Sequence, residues 1–170
     1  MRPNNLSLIV VAAVLSAPAF AAPECKAIHG KLSEFVVSPF ASPNDPLGRN
    51  VLTAQGSPLN AIGTSILTSV GPGPLPGTLG ATTRHLFLVS EEDQLTATGS
   101  AVFTPIPGTP NVGETLTLTI TGGTGKFATA TGTITATGTG FNFFPLPPGP
   151  SSANKSFYEF ELSGEICGVN

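Results

Sequence analysis

Between Thr115 and Gly140 the chain reads TLTLTITGGTGKFATATGTITATGTG, two alternating runs around a glycine-rich turn. Leu116, Leu118 and Ile120 alternate with Thr115, Thr117 and Thr119. From Ala128, small or apolar residues recur at every second place, through Ala130, Gly132, Ile134, Ala136, Gly138 and Gly140, with threonines between. A period of two sends one face of each run to a core and the other to water, so the stretch predicts a β-hairpin. The same alternation places Ile28, Gly30 and Leu32 in a first strand over 26–37. It places Tyr158, Phe160, Leu162 and Ile166 on one face of a last strand, opposite Glu159, Glu161, Ser163 and Glu165. Strands are also expected at 83–90 and 94–103, joined by the polar turn Glu91-Glu92-Asp93, with two short strands in 51–70.

Pro-, Gly- and Ser-rich stretches at 38–48, 71–80, 104–114 and 143–152 punctuate these runs as loops, because proline lacks a donor and glycine costs entropy. No segment after the leader has a helical period with caps. The expected class is all-β, roughly seven to nine strands in an antiparallel barrel or a β-sandwich.

The leader itself is distinct. Arg2 precedes an apolar run from about Leu6 to Leu15, and Ala19-Phe20-Ala21 offers a small-x-small cleavage site. This predicts a signal peptide over 1–21 and a single β domain over 22–170. The run is too short for a bilayer core of about 30 Å, and no second apolar run is long enough, so no membrane span is expected in the mature chain. The implied location is secreted or periplasmic. There the two cysteines, Cys25 and Cys167, are expected to pair, tying the first strand to the last. The net charge is −3, with only 7 Lys and Arg, which excludes the basic footprint that nucleic-acid binding needs.

Candidate chemistry is sparse. Gly123-x-Gly125-x-x-Ala128 matches a dinucleotide fingerprint only formally, since no helix follows and the next acidic residue is Glu159. Lys126 is followed by Phe127 rather than Ser or Thr, which excludes a phosphate-binding P-loop. His29 and His85 are the only histidines and lie far apart in sequence. With Glu91, Glu92 or Asp93 they would need the fold to assemble a metal site, and none is expected. Arg49 and Arg84 are candidates for a cavity carboxylate site or for plain surface positions. Asn154-Lys155-Ser156 fits a glycosylation sequon. There is no GxSxG or HExxH. No catalytic residue is assigned and no cofactor is expected.

The motif Gly122-Gly123-Thr124-Gly125-Lys126-Phe127, between the alternating runs, resembles the GGTG-K/R-F turn of the allene oxide cyclase and dirigent barrels, above all their secreted bacterial relatives. The resemblance covers Thr115 to Thr139 and more loosely His85 to Gly108. Glycines would supply positive φ at a tight reversal, and Phe127 would plug the barrel beside it. The resemblance implies an eight-stranded barrel with a partly apolar cavity, a small hydrophobic ligand, and assembly as a dimer or trimer. The expected role is a secreted barrel that binds a small hydrophobic molecule or acts as a structural or surface module. The alternative is an isomerase or cyclase working on such a molecule in the cavity.

Overall fold

A computed structural model describes residues 23–42, 45–143 and 156–169. The signal segment 1–21, nearly all of the proline loop at 143–152, and the sequon at Asn154 lie outside the described residues. The strands are β1 (Cys25–Ser42), β2 (Asp45–Ser57), β3 (Ala61–Pro72), β4 (Leu79–Leu88), β5 (Gln94–Pro105), β6 (Val112–Gly123), β7 (Thr131–Phe141) and β8 (Phe157–Cys167). Each pairs antiparallel with the next, and β1 pairs β8, so the eight strands close into a barrel rather than a sandwich. Pairing of β1 with β8 closes the sheet around the barrel, while the β1–β2 arm beyond it pairs strand to strand only.

The alternation read from the sequence decides what points inward. Leu116, Leu118 and Ile120 on β6, Ile134 and Ala136 on β7, and Tyr158, Phe160, Leu162 and Ile166 on β8 are all buried. The intervening threonines of β6 are exposed, as are Glu159, Glu161 and Glu165. One expectation needs correcting. The stretch 38–48 is not a loop, because β1 runs on to Ser42 and β2 begins at Asp45, paired Phe40↔Leu47 and Ser42↔Asp45. Pro39 and Pro46 sit in an arm beyond a register shift between Val36 and Ser38, where a missing ladder donor is tolerated. A second correction concerns β7, which begins at Thr131 rather than Ala128, because Gly125–Phe127 form a 3₁₀ turn first.

The two ends of the barrel differ. At one end lie the β4–β5 turn, the β6–β7 turn, Cys25 and Cys167. The two cysteines face each other in register with their sulfurs at disulfide distance, 1.98 Å. The GGTGKF turn closes this end. Gly122 and Gly125 take φ of 115° and 55°, the left-handed region that glycine enters without cost. A Cβ on Gly123 would lie 1.9 Å from the Gln94 carbonyl oxygen. Phe127 is wholly buried among Leu95, Ile120 and the rest of the core. The Lys126 amide donates to Asp93 Oδ1 at 3.0 Å, and its ammonium lies 3.4 Å from Asp93 Oδ2. Core residues Ile28, Leu59, Phe87, Leu118, Ile134 and Ile166, each no more than 1% exposed, belong to the same packed cluster. The other end carries the β1–β2 arm and a cavity.

Candidate functional site

The cavity has a volume of about 280 Å³. Its wall is apolar: Val36, Leu67, Val70, Phe103, Leu116 and Phe143. The Phe103 and Phe143 rings stack at 5.1 Å, and Tyr158 meets Phe143 edge-on at 6.4 Å. Room for the Tyr158 ring comes from Gly140 on the neighbouring strand, where a Cβ would lie 2.5 Å from it.

Among these apolar groups stands a row of inward polar side chains. Register makes it: Asn50 on β2 lies opposite Ser65 on β3, which lies opposite His85 on β4. Glu34 on β1 lies opposite Tyr158 on β8. Glu114 enters from β6, one inward position before Leu116. Glu34, His85 and Glu114 are 4%, 3% and 7% exposed. Asn50 Nδ2 donates to Glu34 Oε2 at 2.8 Å and to Ser65 Oγ at 3.0 Å, and Ser65 Oγ donates to Glu34 Oε2 at 2.8 Å. His85 Nε2 and Thr83 Oγ1 share a hydrogen bond of 2.8 Å. His85 Nδ1 lies 3.5 Å from Glu34 Oε1. Glu34 Oε1, His85 Nδ1 and Glu114 Oε2 have no hydrogen-bond partner among the described residues.

Burial sets the charge of this row. It pushes the Glu114 carboxyl well above the usual range, reinforced by the nearby Glu34 charge, so Glu114 keeps its proton more readily. Burial also pulls His85 down, with Glu34 opposing more weakly, which favours the neutral imidazole. Tyr158 is pushed up by burial first, then by Glu114 and Glu34, and stays a neutral phenol.

The structure divides the residues singled out by sequence. Arg49 lines the cavity mouth and is exposed, whereas Arg84 is exposed on the outer face of β4. His29 is exposed on β1 and His85 is inside, so the two histidines do not meet. Glu91 and Glu92 are exposed in the turn at the closed end, away from the cavity, and Asp93 holds the GGTGKF turn. Among the described residues, the one His/Cys/Asp/Glu trio with ligand atoms within 4.8 Å of one another is Cys25, Glu165 and Cys167. Its sulfurs are already at disulfide distance. Glu34, Asn50, Ser65, Glu114 and Tyr158 were not singled out by sequence for any site. Their signal was positional, a polar group on the apolar parity of a strand.

No family model, curated protein or solved structure matches the chain. The geometry of the cavity therefore carries the functional argument. No helix among the described residues is long and apolar enough to cross a membrane.

Proposed function

We propose that this is an exported barrel that binds a small, mainly apolar molecule in its open-end cavity. The observation that carries the reading is the cavity itself, an apolar wall around a few convergent buried polar groups. Ligand sites are usually built this way, and 280 Å³ is near the lower end of their size range. The opposite end is tightly packed, so the barrel interior is not simply under-filled throughout. The export signal and the resemblance to the cyclase and dirigent barrels support the same reading.

The test is a titration of the mature protein with ethylbenzene, followed by amide and methyl NMR. Shifts at Val36, Leu67, Leu116 and Phe103 are expected. Shifts confined to the exposed outer residues Phe35, Val51 and Ile62, or none at all, would overturn it.

One observation favours a second reading, an isomerase or cyclase. Glu34 and Glu114 share the cavity, and burial keeps a proton on Glu114. A carboxyl that burial holds protonated is the usual making of a general acid, and a second carboxyl stands beside it. Turnover of a bound unsaturated compound, lost in Glu34→Gln, would support it. Unchanged compound recovered after long incubation would count against it.

A further inference from the structure

We infer that the cavity floor recognises a cationic, hydrogen-bond-donating head, a primary amine on a short apolar body, through Glu34 Oε1 and Glu114 Oε2 beside His85 Nδ1. This deepens the cavity-binding reading and rests on it. The protein has already committed part of this row to its own hydrogen bonds. Asn50 and Ser65 are donors, and both spend their hydrogens within the row, on Glu34 Oε2 and on Ser65 Oγ. Among the fully buried side-chain atoms of the described residues, those left without a hydrogen-bond partner are Glu34 Oε1, Glu114 Oε2 and one imidazole nitrogen. A carboxylate oxygen can only accept. A molecule that satisfies Glu34 must therefore donate.

Charge points the same way. Two carboxyl groups and an imidazole whose charged form burial disfavours face the floor from β1, β6 and β4. Arg49, the cationic side chain lining the cavity, is exposed at the mouth, where solvent screens it. An anionic head would meet the Glu34 charge in a poorly solvated place. An ammonium would meet its counter-charge at Glu34, with a further N–H left for Glu114. A single metal ion fits less well, because the ligand atoms of Glu34, His85 and Glu114 are not all within 4.8 Å of one another. The apolar wall above, from Leu116 to the Phe103 and Phe143 rings, would take the hydrocarbon part of the amine.

The experiment uses a matched set of probes on the mature, oxidised protein: 2-phenylethylamine, 2-phenylethanol, 3-phenylpropionate and ethylbenzene. Dissociation constants come from NMR titration of the cavity residues. The amine is expected to bind at least about tenfold tighter than the alcohol or the acid, the scale of one charged hydrogen bond. Glu34→Gln should bring the amine-to-alcohol ratio to about threefold or less while ethylbenzene binding persists, which shows the cavity intact. An alcohol that binds as tightly as the amine, or an acid that binds tighter, overturns the inference and leaves the cavity reading standing. If no probe, ethylbenzene included, shifts the cavity residues, the cavity reading itself fails. The wild-type ratio decides the inference even where Glu34→Gln does not fold.

Discussion

Glu114 gives a thermodynamic test of the polar row that needs no ligand. In the folded barrel its carboxyl is raised well above 4.5, first by burial and then by Glu34. In the unfolded chain it titrates normally. Above about pH 4.5 the unfolded state releases this proton while the folded state keeps it, so the unfolded state binds fewer protons. Stability from this group is complete below the unfolded value and is lost as pH rises toward the folded one. The slope for one proton is about 1.4 kcal/mol per pH unit. Glu114→Gln keeps the shape of the neutral acid and does not titrate. Relative to wild type, the variant should be near its baseline at about pH 4 and gain up to about 1.4 kcal/mol for each unit above the onset. His85 works in the opposite sense: its lowered value costs stability as pH falls below 6.5, where the unfolded histidine takes up a proton. That term is common to both proteins and cancels in the difference. Urea unfolding at a series of pH values, with equal slopes in denaturant for the two proteins, reads the difference directly. Parallel stability curves across the range would refute a buried, neutral Glu114.

Three further outcomes follow from the closed end. Replacing Cys25 and Cys167 by Ser should lower the unfolding free energy by up to about 5 kcal/mol, the chain-entropy value for a loop of this length, measured by urea unfolding against the oxidised protein. Gly123→Ala puts a Cβ against the Gln94 carbonyl and should cost about 1–3 kcal/mol or more, read as a lowered Tm. Asp93 is held below the usual range, mainly by the Lys126 amide, so its contribution is present above about pH 3.8 and is lost as pH falls through its folded value. Asp93→Asn should therefore be less stable than wild type at neutral pH, with the gap closing in acid, as thermal melts at the two pH extremes would show.

The fold was legible because alternation is a local signal that survives in a single chain. β6, β7 and β8 were set by Leu116-Leu118-Ile120, by Ile134-Ala136 and by Tyr158-Phe160-Leu162, and each of those residues is buried. Alternation alone left barrel and sandwich open, since closure depends on β1 meeting β8 across the whole chain; the resemblance of the GGTGKF hairpin pointed to the barrel that the strands form. The polar row was half-legible. Glu34 continues the parity of Ile28 and Leu32, Glu114 precedes Leu116 by two, and His85 precedes Phe87 by two. Each is a polar residue in an apolar place, which marks a site once the strand is known. Ser65 was harder to see, because β3 carries Ile62 outward at 63% exposure and its pattern gives no clear inside. That Asn50, Ser65 and His85 form one line is a property of register, and register is set by pairing between strands rather than by any strand alone.

The pairing of β1 with β8, from Cys25↔Cys167 to Phe35↔Phe157, turns the strands into a continuous hoop. With the sulfurs joined, the covalent path from Cys25 to Cys167 is a ring as well. A single protease cut in any turn between them then opens one link and releases nothing, because both new ends remain tied through the bridge and through their neighbouring ladders. Two cuts are needed before a fragment can leave, and it must still peel away from a strand on each side. A single nick then leaves the barrel assembled, and only a second cut can dismantle it.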